Sequence, residues 1–512
     1  MKRNILLILG LSLIMTTMSG CMGGNKVFDN MVPQDMGEFS DQSKKYSDTI
    51  TMGVEKMTDF NPYESMSEGN LQTLRIAYES IFAYDDTLKV VPVLAEDWTT
   101  SEDGKQITVT LKEDVKYHNG DSLSAMDVVN TLNLIKTAKY ERFYNEIQQV
   151  AVVDSKTILV KFLTPQSNPA EKLMFPVVKT TNDGVVGTGP YKFESKESTD
   201  SYVFRAFEEY HGMKPTIKEI KMVNAEDIET LLRLFEIGQI DVLSTGVFDY
   251  ATYSVGAHTN VNDYPTNELV FLGFNFENSI FWGESSRQAM QYLIDKNEIV
   301  EKGLYKKAKE TDFLINPDSW LYPKDLEYGK DAVLAEKLLL EDSWTRVDGV
   351  FARMLDGKRQ DFEFDLLVLE DPQLEVTAEM IAHDLSNFGI KCNIVTKPEP
   401  AFSQAISGKS YDVMLSKVTL RGSADLETLT GEENIFGYLN SELDKISVAV
   451  RTQKDEDALL ESYKKYCEIS LKDAQFIPLY FNKNAVMTGG SVSENVKCVM
   501  DNPYYNIHEW NR

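Results

Sequence analysis

The sequence has few of the residues from which metal centres and enzyme active sites are usually built. It contains 5 histidines and 4 cysteines among 512 residues, and neither type shows a metal-binding spacing. Metal sites normally need clustered imidazoles, thiolates or carboxylates, so this scarcity argues against a bound metal. The motifs G-x-S-x-G, H-E-x-x-H and G-x-x-x-x-G-K-[ST] do not occur in it either. We therefore expect no catalytic set, no nucleotide-binding loop and no cofactor, and we do not expect an enzyme.

Positive charge is also scarce. Lys and Arg number 52 against 80 Asp and Glu, which gives a formal net charge of −28. Proteins that bind nucleic acid need clustered Lys and Arg to neutralise phosphates, and no such run occurs here. Nucleic acid is therefore excluded as a partner. The acidic surface mainly favours solubility, and it also favours the approach of cationic ligands.

Long apolar runs are missing except near the beginning of the chain. Two basic residues precede an apolar run at 5–15, which is too short to span a bilayer stably. Residues 1–20 are thus predicted to be a secretory signal peptide. The following MSGC at 18–21 resembles a bacterial lipobox, so Cys21 is the predicted lipidation site and membrane anchor. The alternative is ordinary signal cleavage beside an incidental cysteine.

The segment that follows has the composition of a flexible tether. Residues 21–47 are rich in Gly, Asn, Asp, Gln and Ser, with few large apolar residues. The protein is thus predicted to be tethered to the outer face of a bacterial cell membrane without spanning it. The other three cysteines, Cys392, Cys467 and Cys498, lie at apolar positions of predicted strands or helices, which favours core thiols. A disulfide between two of them stays open at this point, because a sequence cannot pair them.

Residues 88–132 carry the clearest local structure signals. Ile107, Val109 and Leu111 alternate with threonines, which predicts a half-buried strand. Ser124 and Asp127 form a capping box, which predicts the start of a helix. Helix and strand patterns alternate along much of the remaining chain, which indicates an α/β protein.

The same stretch carries a family resemblance. Pro92, LAEDW at 94–98, SEDG at 101–104 and VKYHNG at 115–120 follow one another in an order that resembles a known class of proteins. This class comprises the extracellular solute-binding proteins of peptide-type ABC importers, with oligopeptide, dipeptide and nickel branches. The nickel branch gains little support from five scattered histidines.

Four later phrases extend the resemblance over roughly residues 49–512. They are GTGPYKF at 187–193, RQAMQYLID at 287–295, YD at 411–412 and IPLY at 477–480. The resemblance implies a two-lobed, periplasmic-binding-protein-like α/β fold, with two hinge crossings and an extra domain on the first lobe. We place the crossings near 273–276 and 476–480.

The predicted domain organisation follows from these positions. The expected segments are a signal peptide (1–20), a tether (21–47), the first lobe in three parts (48–75, 181–273 and 478–512), the extra domain (76–180) and the second lobe (274–477).

The resemblance also implies a function and partners. The chain is expected to be a monomeric lipoprotein that captures a peptide or peptide-like molecule by hinge closure between two lobes. It would deliver this ligand to a membrane permease, with separate ATPase subunits supplying the energy. The alternative is a receptor of the same fold that serves signalling instead of uptake.

One departure from the family pattern concerns the charge of the ligand. Peptide receptors of this class commonly use an Asp that pairs with the α-amino group of the ligand. Counting from Asp412 without gaps, Arg421 occupies that position, and it would favour a carboxylate or another anion. Asp425 could restore recognition of an amine if the loop is longer than usual. The alternative is that Arg421 is a solvated loop residue.

Four more residues complete the predicted ligand-binding set. Tyr480 belongs to the IPLY phrase, which lies near the interlobe cleft in the family. Asn61 lies in an Asn-Pro-Tyr loop at the cleft edge, or in a plain structural turn. Asn275 follows the strand that leads to the first crossing. Trp320 belongs to an aromatic cluster that could line a pocket or pack under a loop.

Overall fold

A computed structural model of the chain describes residues 48–57, 59–64, 68–137, 145–198, 200–246, 259–431, 434–489, 492 and 495–512. The predicted signal peptide, the tether and Cys21 lie outside these residues. Within them, no helix combines the length and the apolar character that a membrane span requires.

The described residues form many strands and fewer helices. The strands are β1 (Thr49–Glu55), β2 (Phe82–Tyr84), β3 (Val90–Pro92), β4 (Ala95–Thr100), β5 (Gln106–Leu111), β6 (Ile147–Val152), β7 (Thr157–Phe162), β8 (Lys179–Thr181), β9 (Gly184–Val186), β10 (Tyr191–Ser198), β11 (Ser201–Ala206), β12 (Glu219–Ala225), β13 (Val242–Thr245), β14 (Thr259–Phe274), β15 (Ala308–Glu310), β16 (Thr345–Val347), β17 (Val350–Leu355), β18 (Lys358–Asp361), β19 (Glu363–Leu369), β20 (Lys391–Lys397), β21 (Val413–Thr419) and β22 (Phe476–Gly489).

The helices are α1 (Glu68–Thr73), α2 (Ala125–Thr137), α3 (Ile228–Glu236), α4 (Glu284–Leu293), α5 (Lys296–Glu298), α6 (Ala332–Glu341), α7 (Pro372–Phe388), α8 (Glu399–Ser407), α9 (Ser441–Val450) and α10 (Glu456–Asp473). Short 3-10 turns occur at Leu74–Ile76, Pro169–Leu173, Ser279–Phe281, Lys324–Leu326 and Ile507–Glu509, and a π turn occurs at Ile299–Gly303.

One large sheet runs through most of the described chain. Its strands follow the order β10-β11-β12-β1-β13-β22-β14-β21-β19-β20, and β15 also pairs with β22. Strands β14 and β22 form its centre, paired antiparallel from Thr259 with Gly489 to Gly273 with Phe476. Their ladder is irregular between Pro265 and Leu269, where the register shifts. This long ribbon connects the two halves of the sheet.

The two halves of the ribbon enter different hydrophobic cores. Tyr264 and Val486 pack in a core with strands β1, β11 and β12. Val270 and Leu479 pack in a second core with helices α4 and α7 and strands β19 and β21. We call the bodies around these cores the first lobe and the second lobe.

Polar residues separate the two halves. Residues 265–268 and 482–484, which we call the crossing segments, stand between the last side chains of one core and the first of the other. The sequence placed the crossings near 273–276 and 476–480, which lie at the second-lobe end of the same two strands. The predicted domain limits stay predictions.

The structure confirms the local predictions for residues 106–137. Strand β5 buries alternate residues, and the carboxylate of Asp127 accepts hydrogen bonds from the N–H and hydroxyl of Ser124, at 2.9 and 2.7 Å, before helix α2. The surrounding four-stranded sheet has the order β4-β5-β7-β6. Its buried residues Ile107 and Val109 join the core of the first lobe, so this region packs as an extension of that lobe.

The three cysteines in the described residues are free. Cys467 is fully buried, and Cys392 and Cys498 are partly buried. Burial raises the pKa of the Cys392 and Cys498 thiols to about 12, so both stay protonated near neutral pH. They behave as packing groups with little nucleophilic character.

Candidate functional site

Two cavities lie where the lobes face each other. The larger one, about 900 Å³, is bordered by the crossing segments, by β1, α1 and β13 of the first lobe, and by the start of α7 and the end of β21 in the second lobe. We call it the hinge cavity. The other, about 490 Å³, lies between 164–172 and the loops at 320–321 and 421–427, and we call it the rim cavity. Both volumes lie in the range of small-molecule sites.

A lysine between two carboxylates forms one wall of the hinge cavity. The Nζ atom of Lys417 lies 3.1 Å from Oδ2 of Asp371 and 3.8 Å from Oε1 of Glu268. Burial lowers the pKa of Lys417, but these two carboxylates outweigh it and hold the pKa above its ordinary value. The lysine is therefore a permanent cation in this wall.

The three groups come from elements that are distant in sequence. Asp371 is the N-cap of α7, and its Oδ1 atom accepts hydrogen bonds from the N–H groups of Gln373 and Leu374, at 2.9 and 3.2 Å. Glu268 ends the crossing segment of β14, and Lys417 lies on β21. The second lobe therefore fixes Asp371 and Lys417, whereas the crossing ribbon fixes Glu268.

An amide network joins the crossing strands to α7. The side-chain amide of Asn482 donates to Oε1 of Glu268. The amide of Gln373 donates to Oδ1 of Asn482 at 2.6 Å. Among the described residues, the hydrogen bond to the carboxylate of Glu268 is made at Oε1, and Oε2 accepts none. Of the two carboxylates beside Lys417, Asp371 also caps a helix and Glu268 does not.

The hinge cavity has an excess of negative charge. Its lining includes Glu55, Glu268, Asp371 and Asp501, against the two cations Lys56 and Lys417. A cleft with an excess of one charge attracts ligands of the other sign. The cavity thus suits a ligand that carries a positively charged group.

The first-lobe wall of the hinge cavity is neutral and polar. The hydroxyl of Tyr264 lies 3.1 Å from that of Ser244 and donates to Oε1 of Gln72 at 3.1 Å. Burial raises the pKa of Tyr264 to about 12, so it stays a neutral hydrogen-bonding group. This wall can form hydrogen bonds without adding charge.

The rim cavity brings together Arg421, Asp425 and Trp320. Both oxygens of Asp425 are used within its own loop, by the backbone N–H groups of Arg421, Glu427 and Thr428 and by the Thr428 hydroxyl. The guanidinium of Arg421 is exposed and has no partner in the part of the chain that the structure describes. In this arrangement Asp425 stabilises the loop, and Arg421 is the available charge.

Trp320 connects the lobes at the rim. Its backbone N–H donates to the carbonyl of Thr87 at 2.9 Å, and Nζ of Lys89 lies 4.9 Å from the centre of its ring. Lys89 also pairs with Glu456 of the second lobe at 2.7 Å. The two rims are in contact in this structure.

The structure places the three other predicted residues outside both cavities. Tyr480 is fully buried in the core of the second lobe, with its hydroxyl 2.9 Å from that of Thr377. The amide of Asn275 donates to the carbonyls of Tyr411 and Lys409, at 2.7 and 3.1 Å. Oδ1 of Asn61 accepts from the N–H of Tyr63 at 3.0 Å, within a local turn. Their predicted contacts with a ligand stay predictions.

Sequence reasoning did not select Glu268, Asp371, Lys417 or Asn482. One local signal was available, because Asp371-Pro372 before an apolar helical pattern marks a helix start. Their proximity depends on the fold. In addition, no group of three or more His, Cys, Asp or Glu side chains suited to a metal ion occurs within the described residues.

Two separately packed lobes, two crossing strands and a polar cavity beside the crossing define a two-lobed binding protein. The chain belongs to the bacterial extracellular solute-binding proteins, family 5, whose model matches residues 89–431. Members of this family bind solutes and are not enzymes. The predicted family is thereby confirmed.

Individual relatives are similar over most of their length. The oligopeptide-binding protein AppA of Bacillus subtilis is 21% identical, with 99% of each chain covered. The dipeptide-binding protein DppE of Bacillus subtilis is 24% identical, covering 87% of this chain and 88% of the relative. The crystal structure of a nickel ABC transporter from Bacillus halodurans matches with a TM-score of 0.79 and 19% identity, over 91% of this chain and 100% of the other. The predicted α/β, periplasmic-binding-protein-like fold is confirmed by this likeness.

Proposed function

We propose that this chain is the substrate-binding component of an ABC importer and captures a peptide or peptide-like solute in the hinge cavity. The observation that carries this proposal is the position of the cavity at the crossing segments, where one ligand can contact both lobes. A ligand that contacts both lobes stabilises the closed state over the open one. The oligopeptide-binding and dipeptide-binding names of the two relatives support a peptide as the cargo.

The charge of the hinge cavity favours a ligand with an ammonium group. Asp371 already accepts hydrogen bonds from the α7 N-terminus and from Lys417, whereas one oxygen of Glu268 accepts no hydrogen bond among the described residues. An ammonium group could donate a charge-assisted hydrogen bond to this second oxygen of Glu268. We therefore assign Glu268 as the anchor for the positive end of the ligand.

The proposal includes the cellular context predicted from the sequence. The signal peptide at 1–20 and the lipobox at 18–21 support export and attachment through a lipid on Cys21. A monomer at the outer face of the membrane would then present ligand to a permease, with ATPase subunits on the other side. Labelling of cells with a radioactive fatty acid tests the anchor, because Cys21→Ser should remove the label and release the protein.

Native mass spectrometry of the protein purified from peptide-rich medium tests the cargo. A series of bound species that differ by amino-acid residue masses supports peptide capture. The Glu268→Gln variant should lose this series, while Glu277→Gln, which changes an exposed carboxylate outside the hinge cavity, should keep it. A single bound species without an amino group would contradict both the peptide assignment and the role of Glu268.

A further inference from the structure

The second-lobe loop at 421–428, which we call the rim loop, contacts the 3-10 turn Pro169–Leu173 across the rim. The hydroxyl of Ser423 donates to Oε1 of Glu171 at 3.1 Å. This contact joins positions that are 252 residues apart in sequence and lie on opposite sides of the cleft. Glu171 is therefore an interlobe hydrogen-bond acceptor.

Gly422 makes this approach possible. Its φ angle is +122°, which L side chains rarely adopt, and a Cβ atom added there would lie 2.6 Å from Oε2 of Glu171. The backbone conformation favours glycine at this position, and an added Cβ would displace the carboxylate of Glu171. The rim loop thus fits Glu171 through a hydrogen bond and through a close backbone approach.

The rim loop is stiff because Asp425 closes it from inside. The carboxylate accepts four hydrogen bonds from groups of residues 421–428, as described above. A contact at Gly422 and Ser423 therefore positions the whole loop, including the neighbouring Arg421, whose side chain lines the rim cavity.

We propose that Glu171 is a positioning residue for ligand binding, which holds the rim loop through Gly422 and Ser423 when the lobes are together. It thereby sets Arg421 over the rim cavity and adds a contact that only the closed state contains. This inference rests on the proposed hinge closure, because the contact has this role only if the rims separate when ligand leaves.

The surroundings of Glu171 add a dependence on pH. The amide of Asn168 donates to its Oε1 at 3.3 Å, and the Tyr84 hydroxyl also hydrogen-bonds to it. Burial nevertheless raises the pKa of Glu171, ahead of the opposing effects of Lys172 and these hydrogen bonds. The titratable or charged groups that border it are Lys172 with its partner Glu146, Tyr84, Tyr463, Arg421 and Asp425.

The sign of this dependence follows from proton linkage. Separation of the rims would return Glu171 to water and its pKa to the ordinary range. The closed state then holds the proton more tightly than the open state, so closure becomes more favourable as the pH falls through the raised pKa. Burial raises the pKa of Tyr84 and Tyr463 further above neutrality, so neither titrates in the acidic range.

Hydrogen–deuterium exchange of the detergent-solubilised full chain, purified from peptide-rich medium with its co-purified ligand retained, tests the proposal. After correction for intrinsic rates, the rim-loop peptide should exchange more slowly at pH 5 than at pH 7.5. Glu171→Ala and Gly422→Ala should speed its exchange by about tenfold, the range for a lost hydrogen bond to a charged group. Glu171→Gln should keep the protection and lose its pH dependence.

A matched control separates the contact from backbone strain. Gly184 has the same φ angle of +122°, but an added Cβ there would meet nothing within 4 Å. Gly184→Ala should therefore lower the melting temperature through the strain alone, by no more than Gly422→Ala does, and leave the rim-loop exchange unchanged. Equal rim-loop exchange in wild type, Glu171→Ala and Gly422→Ala at both pH values would overturn the proposal. Native mass spectrometry of the same samples shows whether ligand is bound, so a failure of the cargo assignment is distinguished from a failure of this proposal.

Discussion

The hinge cavity and the rim cavity differ in how their charges are held. In the hinge cavity, Glu268, Asp371 and Lys417 are positioned by a strand, a helix start and a second strand, so the cluster does not depend on contact between the rims. In the rim cavity, contacts such as Lys89 with Glu456 join one lobe to the other. The first arrangement does not need the rims to touch, and the second consists of contacts between the lobes. We infer that selectivity depends mainly on the hinge cavity and closure mainly on the rim.

The largest expected effect comes from removing the charge of Glu268. Glu268→Gln should reduce the affinity for an amine-bearing ligand by at least about tenfold, because a charge-assisted hydrogen bond is lost. Ligand retention measured by native mass spectrometry checks this. Retention equal to that of the Glu277→Gln control would remove Glu268 from the site.

Tyr480→Phe should have a smaller effect, and it tests whether Tyr480 stabilises the core or contacts the ligand. Tyr480→Phe removes the hydroxyl that lies 2.9 Å from Thr377 in a fully buried site, and the lost hydrogen bond should cost about 1 kcal/mol of unfolding free energy. Urea unfolding measures this cost, and ligand retention should not change. A loss of retention with unchanged stability would instead support the contact predicted from the IPLY phrase.

Arg421→Ala tests how much the rim cavity contributes to ligand affinity compared with the hinge cavity. Its guanidinium is exposed, where charges are screened by solvent, so we expect at most about a threefold loss of affinity. Titration calorimetry with the ligand identified by mass spectrometry gives the number. A loss larger than that of Glu268→Gln would reverse the comparison and indicate an anion as the main anchor.

The smallest effect is expected for the rim ion pair. Lys89→Ala removes the 2.7 Å contact with Glu456, and both side chains are exposed, so the loss of free energy of rim contact should be below about 0.5 kcal/mol. Its effect on rim-loop exchange should disappear in high salt, because salt screens exposed charges. An effect that persists in high salt would point to the packing of Lys89 on Trp320 instead.

The sequence supported the family, the fold class and local elements such as β5 and α2, because these depend on short-range patterns and ordered phrases. It could not show at which residues one continuous strand passes from the core of one lobe to the core of the other. The segments 270–274 and 476–480 are apolar because they lie inside the second lobe. The polar crossing segments next to them are where each strand passes from one core to the other.

The residues of the hinge cavity were missed for a related reason. Glu268, Asp371 and Lys417 are more than 40 residues apart in sequence, and each one alone resembles an ordinary surface charge among 132 charged residues. Arg421 and Asp425 were predicted by counting along the chain from Asp412, and the structure places both at the rim. Only the sheet order brings the hinge charges together.

The continuous β14–β22 ribbon has a mechanical consequence. Antiparallel strands joined by a ladder of hydrogen bonds resist sliding along each other but permit twisting, above all where the ladder is irregular and Pro265 offers no N–H group. We therefore expect relative motion of the lobes to be mainly a rotation about an axis through this joint. Displacement grows with distance from such an axis, so the rim should separate widely while the spacing of the charges beside the joint changes little. A solute would then enter and leave over a moving edge and meet a recognition surface of nearly constant shape.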